Sequence, residues 1–113
     1  MDQIEVEGTL PVALKKMVGQ TVVISKEIVM RQPSAIEYLQ AQASISSGDF
    51  IAIADLAAMT KLVDDKGNEH DITYDMLGHS SRSNLDYLIN KRAELDAKEA
   101  AESSSNEQKL SGN

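Results

Sequence analysis

The chain has 113 residues, with eleven basic against eighteen acidic side chains, a formal net charge of −7 and no cysteine. That length sets a single domain with one modest core, and the acidic balance disfavours nucleic acid and anionic membranes, which are held by clustered Lys and Arg. Disulfides and thiolate metal sites are excluded, and no stretch reaches the ~18 apolar residues that span a bilayer.

Residues 1–8 alternate weakly, with Ile4 and Val6 beside Glu5 and Glu7, and suit either a frayed edge strand or a free arm. The alternation continues through Leu10, Val12 and Leu14, where Pro11 favours an edge position. Gly19 supplies a turn, and Thr21 to Ser25 is a strand. A strand–turn–strand ribbon is the preferred arrangement. Its rival is a short helix over Pro11 to Val18, with Pro at the first position and Gly19 past the end. Ser25-Lys26-Glu27 is either a bulge in one long strand, Thr21 to Met30, or a turn between two strands.

The chain then changes character at Arg31-Gln32-Pro33-Ser34. Pro33 biases Gln32 away from the α region and closes the strand. Ser34 and Glu37 have the spacing of a capping box. Helix one follows from about Ala35 to Ser46, with Ile36, Leu39 and Ala43 on one face and Tyr38 and Ile45 broadening it. Gly48 is available for a left-handed cap, and Asp49 for the N-cap of helix two, Phe50 to about Leu62. That helix is apolar nearly all round, so it is buried or has a partner.

Asp64 to Glu69 is a polar turn between short extended pieces at Leu62-Val63 and Asp71-Ile72. Thr73 caps a single turn, Tyr74 to Leu77, closed by Gly78. Helix three runs from about Ser83 to Ala101, with Leu85, Leu88, Ile89, Arg92 and Leu95 as its stripe. Residues 102–113 are polar and Ser-rich and are expected to form a disordered tail. The expected architecture is therefore a single α+β domain over 1–101. It consists of a short N-terminal antiparallel β segment followed by about three main helices, with helical content dominant.

No catalytic constellation emerges, so an enzyme is not expected. His70 and His79 flank Asp71 and Asp75, but a metal needs three or four converging ligands, and solvated loop histidines fit better. Asp64 to Glu69 lacks the ligand spacing of a calcium loop. Ser80, Ser81 and Ser83 sit where helix caps belong, without the strand–turn–helix setting of a serine nucleophile. Arg31 suits an ion pair, for instance with Glu37, better than an anion site. No metal, cofactor or catalytic residue is therefore assigned. The functional candidates are apolar. Core burial accounts for much of helix two, and one side is left for a partner. Phe50, Ile53, Ala57 and Met59 on helix two, with Leu85, Leu88 and Ile89 on helix three, are the candidate partner contacts, made adaptable by flexible methionines.

The run Ile28-Val29-Met30-Arg31-Gln32-Pro33-Ser34, followed by a helix carrying Glu37 and Leu39, resembles the Arg-x-Pro-[Ser/Thr] signature of phage tail assembly chaperones. These belong to contractile-tailed phages of the Mu-like and P2-like kind. The family's more usual Arg-Arg-Pro stands here as Arg31-Gln32-Pro33. The order of elements over residues 9 to 95 is also similar, including a segment like Asp71-Ile72-Thr73-Tyr74-Asp75-Met76-Leu77 before the last helix. The resemblance implies a non-catalytic protein of the host bacterial cytoplasm. Such a protein binds the long helical tape-measure protein, keeps it soluble while the tail tube polymerises, and is absent from the mature virion. It also implies that a longer, frameshifted form could exist, with the junction near Glu102, and it leaves room for self-association. The acidic N-terminus, Met1 to Glu5, lacks the basic and apolar regions of a signal peptide and agrees with a soluble, intracellular protein. Two alternatives come from other classes. One is a small structural tail or head–tail connector subunit. The other is an acidic antitoxin-like binding protein, although the basic DNA-binding face such proteins carry is missing.

Overall fold

The computed structural model describes the backbone of residues 4–111 and side chains through residue 102. Four strands and four helices follow in the order β1 (Glu5–Val18), β2 (Thr21–Arg31), α1 (Ala35–Ala43), α2 (Ile51–Met59), β3 (Thr60–Val63), β4 (Glu69–Asp71), α3 (Tyr74–Gly78) and α4 (Arg82–Ser111). The strands form one antiparallel sheet in the order β1-β2-β3-β4. The expected short β segment with helix dominant is thereby corrected. β1 and β2 alone span 14 and 11 residues, two further strands complete the sheet, and strand and helix content are comparable. Of the four helices, the five-residue α3 is the single turn expected from Tyr74 to Leu77.

The reason lies in the apolar run that starts at Phe50. It continues into the sheet without a Gly or Pro to mark the change, so helical periodicity carries past the true end of α2. The break comes at Thr60, whose backbone is extended. β-branched Thr60 and Val63 suit a strand, and the pairing of Leu62 opposite Ile28 holds this segment in the sheet. Buried Thr60 directs its hydroxyl to the Leu56 carbonyl at 2.7 Å, which satisfies both groups at the helix–strand joint.

β1 and β2 form a hairpin closed by Gly19-Gln20, with Val18 opposite Thr21. Gly19 has φ +63, and the primed turns that match strand twist require positive φ at this first central position. The preferred ribbon is therefore the arrangement observed, in place of the rival helix over Pro11 to Val18, and β1 is an edge strand, as Pro11 favours. Glu5 to Gly8 belong to β1; residues 1–3 lie outside the described set. Ser25-Lys26-Glu27 lies within a single β2, and the pairing of β1 with β2 shifts register between Thr9 and Leu14.

Helix α4 covers the open edge of β1. Asn84, Leu88 and Leu95 are fully buried, and Tyr87 and Leu85 pack beside them. The buried face thus follows 84, 88 and 95, with half-buried 91 between them, a spacing of three or four residues. Polar side chains on this side of α4 serve the β1 backbone. Asn84 Oδ1 accepts from the Val12 amide and Nδ2 donates to the Val12 carbonyl, each at 3.0 Å. The Thr9 amide donates to Tyr87 Oη at 2.9 Å, and Lys98 Nζ donates to the Glu5 carbonyl at 2.8 Å. A strand edge that would otherwise present unpaired groups is occupied in this way. The tail expected from Glu102 falls mostly on residues whose side chains lie outside the described set, as do Gly112 and Asn113 entirely.

Close approach of α4 explains Gly8. A Cβ there would collide with Tyr87 Oη and come within 2.8 Å of Lys91 Cε. Gly8→Ala should therefore displace Tyr87 and break its bond to the Thr9 amide, at about 1–2 kcal/mol. Urea denaturation gives the check. The loss should shrink in a Tyr87→Phe background, where the hydroxyl is already gone. An equal loss in both backgrounds would sink the collision account.

The remaining core joins Leu10, Leu14, Ile28 and Met30 of the hairpin to Leu56, Ala57 and Met59 of α2 and to Leu62, Ile72 and Leu77.

Candidate partner-binding surface

The junction after β2 is built from local chemistry. Arg31 ends the strand and grips Glu69 of β4 with both guanidinium nitrogens, Nη1–Oε1 at 2.6 Å and Nη2–Oε2 at 2.7 Å. Its Nε lies 3.5 Å from Glu5 of β1. Three strands are tied at one end of the sheet. The bidentate bond holds the guanidinium above, and the Glu69 carboxyl below, its ordinary range. The ion-pair reading of Arg31 thus has Glu69 as its principal partner rather than Glu37. Gln32 reaches α4 through a 2.6 Å bond to Asp96.

The capping box is complete. The Glu37 amide donates to Ser34 Oγ at 3.1 Å, and the Ser34 amide donates to Glu37 Oε1 at 2.9 Å. These bonds hold the Glu37 carboxyl below its usual range. Helix α1 is thereby started firmly, yet it buries none of its residues. It leans on α2, where Gln42 Nε2 donates to Asp55 Oδ1 at 2.7 Å. Its apolar face points outward: Ile36 is 69% and Leu39 64% exposed, with Tyr38 also exposed.

α2 begins beside it. Asp49 does not cap this helix; its carboxylate accepts from the Ser46 amide at 3.0 Å. The Phe50 amide instead donates to Tyr74 Oη at 2.8 Å, which ties the start of α2 to α3. The Phe50 side chain is left 69% exposed, and Ile51 is also exposed. Between α1 and α2 lies a groove of about 210 Å³, lined by Pro33, Tyr38, Ala41, Ala58 and Met59, with charges of both signs from Arg31, Lys61 and Arg92 and from Glu37 and Asp55.

The candidate contacts are divided by this arrangement. Phe50 and Ile89 are exposed. Ile53 and Leu85 are half-buried and pack against the core. Ala57, Met59 and Leu88 are core residues. Ile36, Leu39 and Ile51, which lie outside the candidate set, are exposed as Phe50 is. The 36/39 spacing shows an apolar stripe, but a stripe alone does not say whether it faces a core or a partner.

The polar candidates have structural roles. Asp64 closes its turn by accepting from the Lys66 and Asn68 amides at 2.9 and 2.8 Å. Its second oxygen lies 2.9 Å from His70 Nε2. Ser81 Oγ accepts from the Ser83 amide at 3.2 Å at the start of α4. Thr73 caps α3 through the Met76 amide at 3.1 Å. Among the described residues, no group of three or more His, Cys, Asp and Glu side chains is placed to hold a metal ion. No described helix is long and apolar enough to cross a membrane.

The His70 bond, then the two loop amides, lower the Asp64 carboxyl from 3.8 to about 2. A depressed carboxyl stabilises the fold above its unfolded value, and that contribution is lost as pH falls through the folded one. Asp64→Asn should therefore lower the urea midpoint by a constant amount above about pH 5, with the gap to wild type closing toward about pH 2. A gap that persists at the acid end would mean that the charge is not what matters.

The chain matches no protein-family model, no curated protein and no solved structure.

Proposed function

We propose that this protein is a non-catalytic tail assembly chaperone. It binds the tape-measure protein in the host bacterial cytoplasm and keeps it soluble while the tail tube assembles. The observation that carries this reading is α1, a well-capped helix with no buried residue, which holds Ile36 and Leu39 out to solvent, while Phe50 and Ile51 are exposed at the start of α2. An exposed apolar surface of this kind on a small acidic protein is suited to an apolar client. Two adjacent helices with a groove between them suit a helical client, laid in by its apolar face. The net charge of −7 favours solubility of the loaded complex. The resemblance at Arg31, Pro33 and Ser34 supplies the class of client. Those side chains are spent on the internal structure of the junction, so recognition is assigned to α1 and the start of α2, which the junction positions.

The test is co-expression with the tape-measure protein encoded beside this gene, followed by pull-down and a solubility assay. The long protein should become soluble and co-purify. If it stays insoluble and unbound, while this chain is found by mass spectrometry in purified particles, the chain is a structural tail or connector subunit instead.

A further inference from the structure

Helix α4 seals only part of the β1 edge. It begins at Arg82, and its farthest bond along β1 goes to Val12, through Asn84. Beyond Val12 the hairpin runs on to its turn. A two-residue turn makes Val18 and Thr21 a hydrogen-bonded pair. Bonded and outward-facing residues alternate along an antiparallel strand. Leu14, Lys16 and Val18 therefore bond to β2, whereas Lys15 and Met17 turn their N–H and C=O groups away from it. Among the described residues, β1 has no other strand neighbour, and no turn, cap or side chain bonds to these outward groups.

Lys15 and Met17 share an exposed face with Val22, Ile24 and Lys26 of β2. Lys15 and Lys26 have no ion-pair partner among the described residues. Lys16 lies on the opposite face, where its ammonium donates to the Asp71 carbonyl at 2.6 Å. Glu27, next to Lys26 in sequence, accepts from the Thr9 hydroxyl at 3.2 Å.

We propose that this stretch of the β1 edge takes up an extended segment of another protein as an added strand. Outward main-chain donors and acceptors select an extended backbone. Cross-strand pairing selects the side chains: a carboxylate opposite Lys15 and, two residues along, an apolar group opposite Met17. A second copy would bring its own Lys15 and Lys16 to the same edge, and like charges on adjacent strands oppose pairing. The site lies on the hairpin, so the inference is independent of tape-measure binding at α1 and α2.

The experiment uses the full chain and a synthetic peptide, Thr-Glu-Thr-Ile-Thr-Glu-Thr-Val-Thr, blocked at both ends. Amide hydrogen exchange followed by NMR should slow at Lys15 and Met17 when the peptide is added. Met17→Pro removes one outward N–H and no bond to β2. It should weaken binding by about tenfold or more, the size of one or two lost hydrogen bonds. Lys15→Glu leaves the backbone intact; it should weaken binding of this peptide and favour one with Lys in place of Glu. Circular dichroism checks that each variant folds, and Lys15→Glu decides the matter if Met17→Pro does not. Absence of binding, protection confined to other amides, or undiminished binding by a folded variant would each overturn the proposal. Self-association of the chain that protects Lys15 and Met17 without peptide would put a second copy on this edge instead.

Discussion

Asn84→Ala should destabilise the fold by about 2–3 kcal/mol, although Asn84 lies outside the apolar core. Asn84 is fully buried and spends its whole amide on the backbone of Val12, accepting from the N–H and donating to the C=O. Val12 lies where β1 shifts register against β2, between Thr9 and Leu14, so the sheet ladder does not take up these groups. Truncation leaves two partly buried backbone groups without their partner, and each unsatisfied group typically costs about 1–3 kcal/mol. For a domain of this size the melting temperature should fall by roughly 10 °C. Asn84→Asp separates shape from hydrogen bonding. It keeps an acceptor for the Val12 amide, loses the donor to the carbonyl and buries a charge. It should be at least as damaging at neutral pH and recover in part in acid, where a protonated carboxyl regains a donor. Thermal melts at two pH values make the comparison. A neutral Asn84→Ala would show that solvent satisfies Val12 equally well.

The second large effect is a contrast between two glutamate substitutions. Met59→Glu should unfold the protein, and Leu39→Glu should leave it folded but unable to hold the proposed client. Met59 belongs to the core, together with Leu56, Leu62 and Met30. An unpaired carboxylate there costs at least ~3 kcal/mol, a large part of the ~5–15 kcal/mol that holds a domain together. Leu39 is 64% exposed on a helix with no buried residue. Surface changes of that kind usually stay within about 0.5 kcal/mol. Circular dichroism melts read the first result, and pull-down of the tape-measure protein reads the second. A folded Met59→Glu chain would remove Met59 from the core. Undiminished capture by Leu39→Glu would move the client off α1.

These two pairs show where sequence reasoning carries and where it stops. Pattern and spacing mark helix two as apolar nearly all round, which makes Phe50, Ile53, Ala57 and Met59 candidate contacts. Of those, Met59 and Ala57 are buried and Phe50 is exposed, although all belong to the same run. Hydrophobicity is a property of the residue, whereas exposure depends on what the rest of the chain places above it. Asn84 illustrates the same limit from the polar side. In the sequence it is one more polar residue at the start of a helix. Its partner is 72 residues away, and no local pattern links an amide side chain to a strand irregularity at that distance. The Arg31–Glu69 grip spans 38 residues and is equally silent in the sequence.

The features that the sequence determined by itself are those settled within a few residues. Ser34 and Glu37 close a capping box because side chain and backbone are three positions apart. Thr73 caps α3 for the same reason. Gly19 turns the hairpin because the turn needs positive φ, and Pro11 suits an edge strand because it lacks an amide hydrogen. Tertiary structure alone decided that β3 and β4 complete the sheet, that α4 seals the β1 edge through Asn84 and Tyr87, and that α1 is left uncovered. Each of these outcomes depends on which distant surfaces meet, and burial is settled only when the whole chain has packed.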